Sequence, residues 1–194
     1  MKKTLVATFV IALSSTVVTS HAAVIQFDNN FYEFVDTTET WANARAASIL
    51  MMHNGIAGDL VTIQSENENT FVSGLLNAYS WIGATDDDDN GVWKWVNGDI
   101  FLNCTTPNDS SSCTAVNGRY NSFNTGEPND SGAGEMIAMM DGGGLWNDVT
   151  TGWSQLGYVV EYETPTSVPA PSILALLGLG CVGLHFARRR KTQL

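Results

Sequence analysis

Hydrophobic and polar positions change period several times along this chain, and each change marks an element. Residues 25–35 alternate as a strand does, with Phe27, Phe31, Tyr32 and Phe34 as core candidates. Asp36, with Glu39 three residues on, predicts a helix N-terminus, and Trp41, Ala44, Arg45 and Ile49 continue at helical spacing. Beyond the strand-like run 59–63, Ser65 and Glu68 form a capping-box pattern. Phe71, Val72, Leu75, Leu76 and Tyr79 then predict one apolar helix face. Residues 92–96 alternate as a strand, and 157–163 form a closing one. Between them, residues 97–123 are polar and aperiodic, which predicts a long loop or insertion.

The two ends follow a different logic. Lys2 and Lys3, an apolar run over 5–13 and Ser20-His21-Ala22 make residues 1–22 a secretory signal. The folded domain is therefore expected over 23–163. A Pro-rich linker and motif occupies 164–172, and 173–194 is an apolar membrane helix closed by Arg188, Arg189, Arg190 and Lys191. Removing these ends sharpens the charge. Only Arg45, Lys94 and Arg119 remain against twenty Asp and Glu, a net −17 by 3 − 20. Such a domain repels nucleic acid and anionic lipid and favours bound cations. Cys104 and Cys113 are the only cysteines of the mature core, and in an exported protein they are expected to pair.

Oxygen donors concentrate in residues 126–148. Glu127, Asn129, Asp130, Glu135, Asp141, Asn147 and Asp148 all fall there, with no Cys or His among them. Composition alone would make this a solvated loop. Hard oxygen donors without nitrogen or sulfur suit Ca²⁺, which takes about 6–8 of them in a flexible shell.

The spacing of three motifs goes further. Glu127-Pro128-Asn129, then Glu135 eight positions after Glu127, then Trp146-Asn147-Asp148 resembles the C-type lectin-like domain, as does Trp81-Ile82-Gly83. The resemblance implies an α+β fold with two helices, two small antiparallel sheets and a long Ca²⁺-binding loop region. It implies that Glu127, Asn129, Glu135, Asn147 and Asp148 bind both Ca²⁺ and sugar. It also implies an auxiliary Ca²⁺ site at Asp86, Asn90 and Asp130, although Asn90 stands where many members have Glu. A departure is that Met136 and Val160 stand where the family usually has cysteine. At the C-terminal end, Val168-Pro169-Ala170-Pro171-Ser172 followed by helix and Arg cluster resembles the PEP-type sorting signal recognised by exosortases in Gram-negative bacteria. Ala170 replaces its usual Glu. An ordinary C-terminal anchor would give the same hydropathy.

Three function classes are weighed on these residues. The first is an exported Ca²⁺-dependent carbohydrate-binding module, whose Glu-Pro-Asn resembles the arrangement for mannose- or glucose-type sugars or an envelope exopolysaccharide. The second keeps the Ca²⁺-ordered fold but binds a protein or matrix polymer. The third, an enzyme, is disfavoured, because His53 is the core's one histidine and lacks an evident nucleophile partner. Trp93, Trp95 and Trp153 read as core before they read as sugar platforms. The sorting signal implies two further partners, an exosortase-type protease and, transiently, the inner membrane.

Overall fold

Alternation over the first aromatic run builds β1 (Ile25–Phe27) and the ten-residue β2 (Asn30–Glu39). The computed structural model describes residues 23–165 apart from 108, 133 and 155. The expected signal, sorting motif and membrane helix lie outside the described residues, among which no helix is long and apolar enough to cross a membrane. Strand β2 runs past Asp36, which the sequence placed at a helix start. The β-branched Thr37 and Thr38 keep the chain extended. Thr40 instead caps α1 (Trp41–Ser48), its side chain accepting the N–H of Asn43.

Short strands β3 (Met52–His53), β4 (Ile56–Ala57) and β5 (Asp59–Leu60) lead to α2 (Glu66–Ser73). Ser65 caps α2 through the Glu68 N–H, as expected. Glu68 does not return to the Ser65 N–H but accepts from the Gln64 N–H and the Tyr32 hydroxyl. The helix stops at Ser73, so Tyr79 leaves its face and is 52% exposed.

The remaining strands are β6 (Ser80–Thr85), β7 (Val92–Trp95), β8 (Ile100–Cys104), β9 (Cys113–Ala115), β10 (Ile137–Met140), β11 (Trp146–Val149) and β12 (Leu156–Tyr162). Residues 97–123 are thus not the predicted loop. Phe101 and Leu102 are buried in β8, which pairs with β9 and carries the Cys104–Cys113 disulfide across the ladder. Hydrogen bonding runs β1-β2-β12-β6-β7-β8-β9, with β10 and β11 branching from β6 and β5 from β12. The β12–β6 contact is parallel and joins what would otherwise be two antiparallel sheets.

Strand β6 is buried along its whole length and divides the core. Trp81 faces a cluster with Leu60, Ala44 and Val160, while Ile82 faces one with Trp95, Phe101 and Trp146. A Cβ on Gly83 would meet the Leu60 and Val61 carbonyl oxygens at 2.8 Å, so only glycine fits between these strands. Trp93 and Trp95 are core residues, as expected, whereas Trp153 is half exposed. Val160, at a usual cysteine position, is fully buried.

Two carboxylates lie deep at the β2–α2–β12 junction. Glu161 Oε2 accepts from the Thr62 N–H and hydroxyl, and its Oε1 from Asn30. The Tyr32 hydroxyl donates to Glu68 Oε1 at 2.7 Å and lies 3.3 Å from Glu161 Oε1. Burial, opposed by the Thr62 N–H but helped by the Glu68 charge, pushes Glu161 up to about 7, and burial raises Glu68. Asp28 and Glu163 add negative charge around Glu68, and Asp99 lines the same cavity of about 310 Å³. A carboxyl raised on folding stabilises the fold below its unfolded pKa, and that stability is lost as pH rises through the folded value. We therefore expect stability to fall by up to about 3 kcal/mol between pH 5 and 8. Replacing both carboxyls, Glu68→Gln together with Glu161→Gln, should flatten this slope in thermal melts. An unchanged slope in that variant would remove the pair as its cause.

Candidate functional site

Two loops converge beside the ends of β6, β10 and β11. The first, residues 86–91, is folded around Asp86, whose Oδ1 and Oδ2 accept the N–H groups of Asn90 and Gly91. Gly91 has φ +83, and a Cβ there would meet the Cys104 carbonyl oxygen at 2.5 Å. The Cys104 N–H donates to the Gly91 carbonyl, so the disulfide-bearing strand backs this turn. The Asp86 N–H and Thr85 hydroxyl both donate to the Met136 carbonyl, which ties the turn to the second loop.

That second loop, residues 124–135, contains a cis Glu127–Pro128 bond. It is clamped by Asp148 of β11, only 1% exposed, whose Oδ2 accepts the N–H groups of Asn129 at 3.0 Å and Asp130 at 2.9 Å. Asp130, at φ +47, accepts the Glu135 N–H, and Asn129 Oδ1 accepts the Ser131 N–H. Trp146, the anchor of β11, is fully buried and donates its indole N–H to Asn69 of α2.

The clamp leaves two oxygens without a partner, Asp148 Oδ1 and Glu127 Oε2, both inaccessible to solvent. Burial, then the facing Asp148 carboxyl and the Glu135 charge, push Glu127 up to about 7. Burial and the Asp148 charge also raise Glu135, against the N–H groups of Ser131 and Gly132. Unprotonated carboxylates cannot donate to one another, so facing buried oxygens of this kind call for a proton or a cation. An all-oxygen set around two orphaned carboxylate oxygens fits a hard divalent cation.

Asp86, Asp89, Asp130, Glu135 and Asp148 line one narrow cleft, whose free space of about 10 Å³ suits a single water-sized body. Glu127 and Asn147 line a different, open groove of about 170 Å³. Asn129 lies between Glu127 and the Asp148 clamp. Asn90 is not among the cleft residues, and its amide oxygen accepts the Val92 N–H. Asp89 takes the place facing Asp130 and Asp86, whose charges add to desolvation in raising it. Within the Asp run, the signal for Asp89 is conformational, since it sits at φ +49, which Asp tolerates well. Among the described residues, no three Asp, Glu, His or Cys side chains already converge as a metal cluster. His53 packs between Phe31 and Tyr162, with ring centroids 4.7 and 5.5 Å away.

Fold and loops together define an α+β binding domain whose oxygen-rich loops are pinned to its core. Residues 37–156 match the C-type lectin domain, and 167–191 match the PEP-CTERM protein-sorting motif. The chain belongs to the C-type lectin domain family, a family of binding domains, and carries a PEP-CTERM sorting signal. It is 33% identical to halomucin of Haloquadratum walsbyi over 147 residues, which are 72% of this chain and 2% of halomucin. It is 29% identical to the low affinity immunoglobulin epsilon Fc receptor of Mus musculus, over 76% of this chain and 38% of the receptor. The chain thus spans a small part of these two relatives. Among solved structures, the cow C-type carbohydrate-recognition domain of CD23, determined in the presence of GlcNAc2Man3 oligosaccharide, aligns with TM-score 0.59 and 31% identity. That alignment covers 76% of this chain and 98% of the cow domain.

Proposed function

We propose that this chain is an exported Ca²⁺-dependent carbohydrate-binding module for mannose- or glucose-type sugars, including envelope exopolysaccharide. The observation that carries the reading is the buried Asp148, one oxygen holding two loop N–H groups and the other orphaned beside Glu127. Glu127, Asn129, Glu135, Asn147 and Asp148 would hold the ion, and Asp86, Asp130 and Asp89 a second one. A bound Ca²⁺ supplies open coordination positions that two vicinal sugar hydroxyls fill in place of water. The chain's own groups do the rest: carboxylates accept from those hydroxyls and the Asn129 and Asn147 amides donate to them. The likeness to a carbohydrate-recognition domain studied with a mannose-containing oligosaccharide supports the sugar class. A long free loop over 97–123 would favour the alternative protein- or matrix-binding reading by covering the ion, but that segment carries β8 and β9 of the sheet.

In the same reading the module is non-catalytic. It is held transiently at the inner membrane of a Gram-negative bacterium until an exosortase-type protease acts at the motif within 167–191. A glycan array probed in millimolar Ca²⁺ and again in excess EDTA tests the binding function. Mannose- or glucose-type signals that vanish with EDTA are expected; signals indifferent to chelation would sink the Ca²⁺ dependence.

A further inference from the structure

Exposed large hydrophobic residues are not spread evenly over the domain. Ile49, Leu50 and Met52 are 51%, 80% and 60% exposed, and they stand together where α1 gives way to the β3–β4 hairpin. Single apolar residues on a surface need no explanation, but a cluster does. The platform beneath this one is fixed. Ala47, Met51 and Ile56 pack inward on the core cluster of Val160 and Tyr162, and the Gly58 N–H donates to the Met51 carbonyl. Residues 46–58 also hold no Asp, Glu, Lys or Arg, in an otherwise strongly acidic domain.

Both ends of the domain emerge beside this patch. Val24 packs on the same core cluster as Met51 and Ile56. Tyr162, against which His53 of the hairpin packs, is the last residue of β12 and leads into the Pro-rich linker. The apolar run 173–187 begins eleven residues later, at most about 40 Å for a fully extended chain. The tether thus leaves from the patch's own side. This face meets a bilayer with the tether short, and the others only with it drawn around the domain.

We propose that Ile49, Leu50 and Met52 form a lipid-docking face that seats the domain on a zwitterionic bilayer surface while its own tail holds it there. The inference rests on the reading that residues 173–187 lodge in the inner membrane, and goes beyond it by fixing which side faces the lipid. Three apolar side chains are too few to hold a free protein on a membrane. Tethering changes that, because a short linker makes docking an intramolecular step at millimolar effective concentration. The patch brings no carboxylate to the surface, whereas the acidic loops 86–91 and 124–135 would be repelled by any anionic lipid in it. Contact that depends on the tether also ends with it, so cleavage in the sorting segment frees the domain.

The test uses the full exported chain, residues 23–194, at low density in phosphatidylcholine vesicles, with Cys181→Ser so that only an introduced thiol is labelled. A fluorophore at Met52→Cys should be quenched by doxyl-labelled lipid and lose its quenching by aqueous acrylamide. At Ile100→Cys, 43% exposed at the start of β8, the reverse is expected. Adding Leu50→Glu should restore acrylamide quenching at position 52 and leave the melting temperature unchanged. A chain that floats with the vesicles while the label at 52 stays open to acrylamide would overturn the docking face. So would protection without doxyl quenching, since a second copy or the chain's own tail would then be the cover. Equal doxyl quenching at 52 and 100 would overturn the choice of face. A chain that does not float with the vesicles at all would overturn the membrane reading itself.

Discussion

Millimolar Ca²⁺ should raise the melting temperature of this domain, and Asp148→Asn should abolish the rise. An ion that binds only the folded state adds about 2.7 kcal/mol at a hundredfold excess over its Kd. For a domain of this size each kcal/mol is worth roughly 2–4 °C, so a shift of about 5–10 °C is expected. Asparagine keeps the shape of Asp148, and its single oxygen can still accept the Asn129 and Asp130 N–H groups. It removes the charge that faces Glu127. The variant should therefore melt no lower than the unaltered protein in EDTA and fail to respond to Ca²⁺. Mg²⁺ should shift the native protein less, because it demands a tighter octahedral shell. Equal Ca²⁺ shifts in the two proteins would show that the ion sits elsewhere.

Trp146→Ala should cost about 3–5 kcal/mol in urea unfolding, the range for truncating a buried aromatic. Trp146 is fully buried, and its ring stands edge-on to Trp95, Phe101, Tyr120 and Phe123 at centroid separations of 5.4–6.0 Å. Its indole N–H holds Asn69, whose own amide donates to the Gly144 carbonyl before β11. Trp146→Phe keeps most of the packing but leaves the buried Asn69 oxygen unpaired, so about 1–3 kcal/mol is expected there. Because Asn147 and Asp148 follow directly, Trp146→Ala should also weaken any Ca²⁺ response. A cost below about 1 kcal/mol for the alanine variant would contradict the packing role.

The contrast between these two positions shows what the sequence could and could not reveal. Trp146 and Trp81 were legible as members of their motif tripeptides, whereas their complete burial comes from tertiary packing. The oxygen-donor residues were legible from spacing, but their division between a cleft and a groove was not, since it depends on which way the loop is clamped by Asp148. Strand β8 was hidden because Phe101 and Leu102 stand alone in a polar stretch and gain their burial only from β7 and the loop carrying Phe123. The start of α1 was misplaced because a capping pattern at Asp36 competes with β2, and tertiary pairing with β12 wins. Glu68 and Glu161 looked like any surface acids. Their burial is decided by strands and a helix up to 131 residues apart in sequence, beyond any local pattern.

Arg45, Lys94 and Arg119 are ion-paired with Asp59, Asp87 and Asp99 respectively. Among the described residues, no Lys or Arg is left uncommitted to offer a neighbour. Copies crowded on one surface would therefore hold each other at a distance, with repulsion that fades over about 8 Å at physiological ionic strength. Lateral spacing would then answer to the salinity of the surroundings: an open lawn in fresh water, and a closer carpet in brine.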